Sequence, residues 1–271
     1  VTSNLTKRLI IGLIGAPLLI WIILLGEVYF LGLILIITLF SVHELNLMLR
    51  AKSATPLGWL NLFFSAFIIL NFYFHFIEFW MALLIPLLTY NSLELFRRQK
   101  SPLFNVSGSL LATYYLPLTF GALILLRQMD SSGYVVVSVL LCVWAADTFA
   151  YFGGRMLGQK IIEKKFFERI SPKKTWEGVI IGFIGTVGIG VGLYYFLLNS
   201  IFSLPQTIIL AVLIGTLAPL GDLIESMYKR DCQHKDSSEI IPGHGGFLDR
   251  FDSLSFVSPF AYLYIQYLMN L

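Results

Sequence analysis

The stretch VYFLGLILIITLFSVHELNLML, residues 28–49, decides the fold class. Residues 28–42 carry no charged side chain, and a helix of this length crosses a hydrocarbon core of ~30 Å. The run is too long and too continuous for the alternating strands of about ten residues that build a membrane barrel. Working outward, runs of the same kind recur at 9–26, 58–74, 76–96, 105–126, 134–152, 177–198, 202–228 and 251–270. They predict an all-α fold, a polytopic transmembrane helix bundle of about nine helices. Composition agrees. Of 271 residues 57% are hydrophobic, 15% aromatic and 13% charged, and the mean hydropathy is +0.78. A soluble chain carries about 25% charged residues.

The net charge of +3 says little, but its placement says more. Numbering the runs in order, the odd-numbered breaks hold Glu27, His75, Glu78, Arg127, Asp130 and the Asn199-Ser200 pair. The start and the even-numbered breaks hold all of the 19 Lys and Arg except Arg127. Positive residues mark the cytoplasmic side, so the N-terminus and the large polar loops are expected there. Lys7-Arg8 ahead of an apolar run has the look of a signal peptide, but LLGEVYFLG follows without a small-residue cleavage site, so a retained helix is expected. Cys142 and Cys232 form no CxxC, which argues against a disulfide or a thiolate zinc site.

Polar residues are unevenly spread. Residues 1–133 read as N-terminal membrane scaffold helices, and 134–271 as catalytic membrane helices with cytoplasmic loops. Glu44 is the main polar feature of the first part. Its preferred reading is a carboxylate near the interface that snorkels or pairs with Arg50 or Lys52, against a lipid or metal site. Asp147 interrupts the sixth run and is a site candidate, since a carboxylate in hydrocarbon is costly. Gly153-Gly154-Arg155 at the end of that run can receive an anion or simply stop the helix.

The next loop contains Lys164, Lys165, Arg169, Lys173 and Lys174. Lying on anionic headgroups is the plain reading of such a strip. Ser171 or Thr175 is placed to cap the seventh helix, and Lys173 and Lys174 beside that helix start make a phosphate receptor. Glu177 either binds metal or favours the helix dipole. In the eighth run Pro219 is expected to kink the helix. Beyond it Asp222, Glu225, Ser226 and Lys229 stand at offsets of three, four and seven, on one helical face. Such a face does not belong against lipid, and it suits a site better than an ion-paired packing face.

In the last polar loop Gly243, Gly245 and Gly246 surround His244, and Asp249 and Asp252 flank Arg250. Hard carboxylate oxygens suit Mg²⁺ better than Zn²⁺. Glycine amides with Arg or Lys suit the phosphates that Mg²⁺ accompanies.

The run SMYKRDCQHKDSSEIIPGHGGFLDRFD, Ser226 to Asp252, resembles the signature of phosphatidate cytidylyltransferases, also called CDP-diacylglycerol synthases. Its Ser, Lys-Arg, Lys-Asp, His-Gly-Gly and Asp-Arg-x-Asp elements fall on Ser226, Lys229-Arg230, Lys235-Asp236, His244-Gly245-Gly246 and Asp249-Arg250 with Asp252. Tyr228 departs conservatively from the usual aliphatic, Met or Phe. The resemblance extends to the segments Asp147 to Arg155 and Ser171 to Gly178, within the C-terminal half.

The resemblance implies a membrane nucleotidyltransferase that joins CTP to phosphatidic acid, giving CDP-diacylglycerol and pyrophosphate with Mg²⁺. Under it Asp222 and Asp249 are the first expected metal ligands, and Asp252 and Glu225 the next. Lys173, Lys174, Lys229, Arg230, Lys235 and Arg250 are expected on phosphates, with Ser226, Gly245 and Gly246 beside them. Asp147, Lys229 and His244 join the expected catalytic set, His244 orienting a phosphate rather than acting as base. The expected setting is a bacterial inner membrane, with the site facing the cytoplasm, membrane lipids as surroundings and no nucleic acid. A homodimer and a second metal ion stay open. Two rival readings are a CTP-dependent enzyme on another lipid, either an isoprenoid-ether phosphatidate analogue or a polyprenol kinase, and a transporter in which Asp147 and Glu225 relay protons or ions.

Overall fold

Peptide groups in lipid find no water, so their hydrogen bonds must close within the chain and long apolar runs become helices. The computed structural model describes residues 4–52, 54–234, 237–238 and 245–269. Nine α-helices stand among them: α1 Asn4–Leu25, α2 Glu27–Ala51, α3 Gly58–Phe74, α4 Phe79–Phe96, α5 Pro102–Met129, α6 Tyr134–Leu157, α7 Trp176–Leu193, α8 Leu204–Asp231 and α9 Leu248–Met269. Six of them, α2, α4, α5, α6, α7 and α8, are long and apolar enough to cross a membrane, α7 with the π-helical turn Tyr194–Leu198 that extends it. The protein is an integral membrane protein, and the all-α expectation holds.

One loop carries regular structure of its own. The basic loop before α7 folds into an antiparallel hairpin, β1 Lys165–Phe167 with β2 Ser171–Thr175. Phe166 is seated edge-on against Trp176, with ring centroids 4.8 Å apart. A lysine-rich strip thus gains an apolar anchor at the first residue of the helix.

The helices segregate into two compact units. Unit 1 comprises Val1–Leu125 with Tyr228–Phe251, and unit 2 comprises Leu126–Met227 with Asp252–Leu271. In unit 1 buried amides and hydroxyls join helices that apolar packing alone would leave free to slide. Asn61 donates to Asn46 across α3 and α2 at 2.6 Å. The Tyr90 and Thr113 hydroxyls meet at 2.6 Å between α4 and α5. Glu94, at the end of α4, accepts from Arg97 and from Asn105 of α5, each at 2.7 Å. A buried polar group costs little when it is paired in this way.

In unit 2 the decisive contact is α6 on α7. Gly182 lies against α6 so closely that an added Cβ would come within 2.8 Å of the Ala146 carbonyl oxygen and 3.0 Å of the Ala150 Cβ. Small residues let membrane helices approach to backbone contact, where dispersion and weak hydrogen bonds replace the missing hydrophobic force. The Thr175 hydroxyl accepts from the Gly178 amide at 3.2 Å and caps α7, which fulfils the capping expectation. α8 remains one helix through Pro219.

Candidate active site

Two constellations of polar side chains lie where the sequence concentrates them, one in each unit. In unit 2 the carboxylates of Asp222 and Glu225 on α8 and Asp252 on α9 offer oxygens that all lie within 4.8 Å of one another. Helical spacing puts the first two on one face, and the start of α9 supplies the third. Glu225 is buried, and Asp222 and Asp252 are half-buried. The Ser226 hydroxyl donates to Asp222 Oδ1 at 3.1 Å. Lys174, from β2, places its Nζ 2.7 Å from Asp222 Oδ2 and donates to the Pro219 carbonyl at 3.3 Å.

Each of the three acids offers a hard carboxylate oxygen. That donor set fits Mg²⁺. Asp147 lies exposed on α6 and Lys173 exposed on β2; neither belongs to the acidic trio. Glu177, expected on a metal or at the helix dipole, is buried and accepts from the Ile161 and Ile162 amides at 3.1 and 2.8 Å. It pins the loop after α6 to the start of α7.

In unit 1 the Lys229 ammonium donates to Asp249 Oδ1 at 2.6 Å, and the two side chains are 11% and 8% exposed. Asp249 Oδ2 accepts from the Ser237 amide at 3.0 Å and the Gly246 amide at 2.8 Å. Arg230 and Arg250 are exposed, and Arg230 reaches the His234 carbonyl at 3.4 Å. Gly245 takes a left-handed φ of 81°, open to a residue without Cβ. Lys235 and His244 lie outside the described residues.

Glu44 overturns its own reading. It neither snorkels nor pairs with Arg50 or Lys52. It is fully buried, and its oxygens accept from the Ser237 and Ser238 hydroxyls and from the Phe247 and Leu248 amides at 2.6 to 2.9 Å. A carboxylate is cheap at such depth when donors surround it. The signal was present in the sequence: an acid inside an apolar run is a site candidate by default. Nearby Arg50 and Lys52 offered a simpler partner. Lys52 instead pairs with Asp231 at 2.8 Å.

Known proteins resemble this sequence over nearly its whole length. A model of the cytidylyltransferase family matches residues 6–268. The chain belongs to the cytidylyltransferase family. Among relatives, the phosphatidate cytidylyltransferase of Synechocystis is 30% identical over 293 residues, covering 97% of each chain. That of Bacillus subtilis is 30% identical over 271 residues, covering 96% of this chain and 97% of its own. That of Haemophilus influenzae is 43% identical over 135 residues, 48% of this chain and 46% of its own. Cytidylyltransferase membership thus spans both units, the Glu44 helix included.

Proposed function

We infer that the protein is a phosphatidate cytidylyltransferase: it transfers the cytidylyl group of CTP to phosphatidic acid, forming CDP-diacylglycerol and pyrophosphate. The observation that carries this is the similarity over nearly the whole length to relatives of that name. A phosphate oxygen of phosphatidate attacks the α-phosphorus of CTP, and the bond from that phosphorus to the β-phosphate bridging oxygen breaks. The attacking oxygen is already anionic at neutral pH, so no strong base is required. The barrier lies in bringing two polyanions together and in stabilising the departing pyrophosphate.

Magnesium belongs to the same proposal. Asp222, Glu225 and Asp252 would hold it, and it would screen the triphosphate and stabilise the leaving charge. In unit 1, Asp249 is proposed to act in the transfer by holding the Lys229 ammonium on its Oδ1. Lys173, Lys174, Lys229, Arg230 and Arg250 supply positive charge for phosphates. The proposed setting is the bacterial plasma membrane with the polar loops in the cytoplasm, where CTP is found. The basic asymmetry of the breaks supports that orientation.

The test is purified protein in detergent with phosphatidate and CTP labelled at the α- or γ-phosphate. Cytidylyl transfer puts the α-label in the lipid and the γ-label in pyrophosphate. A CTP-dependent lipid kinase would put the γ-label in the lipid and release CDP, and that outcome refutes the reading.

A further inference from the structure

The Glu44 carboxylate meets four donors, and their arrangement is specific. Oε1 accepts from the Ser238 hydroxyl at 2.6 Å and the Phe247 amide at 2.9 Å. Oε2 accepts from the Ser237 hydroxyl at 2.8 Å and the Leu248 amide at 2.9 Å. Leu248 opens α9 and Phe247 stands just before it, where the amides at the start of a helix have no acceptor within it. A negative group there also meets the positive end of the helix dipole. Glu44 therefore caps α9 from another helix, α2, in the place usually taken by a side chain just before the helix.

The same turn carries Asp249. Ser237 Oγ lies 2.8 Å from Glu44 Oε2 and 2.9 Å from Asp249 Oδ2, so one hydroxyl links the two acids. A Cβ built on Gly246 would collide with Ser237 Oγ and both Glu44 oxygens. The cradle is thus shaped for a glycine at that position. A second contact ties the same elements together: Phe40, one turn before Glu44 on α2, stacks on Phe247 with ring centroids 4.7 Å apart and planes 13° apart.

We propose that Glu44 is a positioning residue for cytidylyl transfer, holding the first turn of α9 so that the Asp249 carboxylate is presented in one fixed orientation. It touches no substrate in this role and acts through the Phe247 and Leu248 amides and Ser237. The proposal rests on the cytidylyltransferase reading for its catalytic consequence and on hydrogen bonds alone for the cap.

Glu44→Gln tests it. Each carboxylate oxygen holds one backbone N–H, and an amide N–H cannot turn round to accept. Whichever way the glutamine lies, its NH₂ must face a backbone donor. Hydrogen–deuterium exchange should therefore speed up by about tenfold or more in the 245–250 segment, with α6 and α7 unchanged. In the same variant kcat per folded molecule should fall about 10²-fold, as misplacement of a reacting group by about 1 Å can cost, while the KM for phosphatidate stays within about threefold. Unaltered exchange at 245–250 overturns the cap. Faster exchange with kcat within about threefold of the parent overturns the positioning role. Exchange decides the cap even if the parent protein makes no CDP-diacylglycerol, which would refute the activity instead. Should Glu44→Gln not fold, Ser237→Ala leaves every backbone donor in place. It should lower kcat about tenfold through the lost link to Asp249, and normal turnover in that variant refutes the role.

Discussion

Lys174 Nζ lies 2.7 Å from Asp222 Oδ2 and, by a second contact, 3.3 Å from the carbonyl oxygen of Pro219. A lysine from the hairpin thus neutralises one member of an acidic trio and touches the backbone of the helix that carries it. The side chains of Lys174 and Asp222 are 21% and 34% exposed, so the pair remains partly open to solvent and exchangeable. A cation entering the trio would compete with this ammonium for Asp222, and a triphosphate could receive the released lysine.

Asp222→Asn is expected to lower kcat/KM by about 10²-fold or more, the scale for removing one charge-stabilising group from a site, and to raise the Mg²⁺ concentration giving half-maximal rate. Magnesium titrations of the labelled-CTP assay read both. An unchanged Mg²⁺ requirement would remove Asp222 from the proposed ligand set. Lys174→Ala should mainly raise the KM for CTP.

The Lys229–Asp249 pair is more deeply buried, with side chains 11% and 8% exposed. Removing one partner leaves a charge without its counter-ion, at a cost of about 3–5 kcal/mol. Lys229→Met should therefore lower the melting temperature of the detergent-solubilised protein. Adding Asp249→Asn to it should return part of the loss. Thermal unfolding of the two single variants and the double variant measures the coupling, and strict additivity would contradict the pairing.

Gly182 and Gly188 stand on the same helix and should respond oppositely to alanine. At Gly182 the methyl meets the Ala146 carbonyl and Ala150, whereas at Gly188 it meets nothing within 4 Å. Gly182→Ala should destabilise by about 1–3 kcal/mol through overpacking. Gly188→Ala should be neutral or mildly stabilising, because alanine is the better helix former by up to about 1 kcal/mol. Melting curves compared in one detergent check the contrast.

Burial and the neighbouring Asp231 raise the Cys232 thiol pKa, and Lys52 opposes them. A raised thiol pKa means less thiolate at neutral pH and slow alkylation, with the rate still climbing as pH rises past 9. Asp231→Asn removes a negative neighbour and should speed N-ethylmaleimide labelling at pH 7.5. A thiol that already labels at its limiting rate at pH 7.5 would contradict the shift. Lys52 shifts upward through its hydrogen bond to Asp231. Whatever stability that contact adds is present below the ordinary lysine pKa and is lost as pH climbs through the raised one.

Topology can be tested directly. With Cys142 and Cys232 replaced, single cysteines at Asn199 and Lys100 should label from opposite sides, position 100 from the cytoplasm and position 199 from outside. The expectation comes from the basic asymmetry of the breaks. Labelling of position 199 from the cytoplasmic side alone would overturn the nine-span arrangement.

The sequence by itself determined everything that follows from local spacing. Apolar runs too long for strands became helices because the backbone must satisfy itself in lipid. Asp222 and Ser226, four residues apart, meet because 3.6 residues make a turn. Thr175 caps α7 because a hydroxyl just before a helix finds its free amides. The tertiary structure decided which distant partner each of these groups takes. Glu44 had Arg50 and Lys52 within reach along its own helix, yet it accepts from an amide 203 positions on. Asp252 joined Asp222 and Glu225, although the sequence paired it first with Asp249. The basic strip became a hairpin whose Lys174 pairs with an acid on α8. The physical reason is common to these cases. A buried charge takes the partner that packing delivers to it with the best geometry, and local spacing carries no record of which helices pack together.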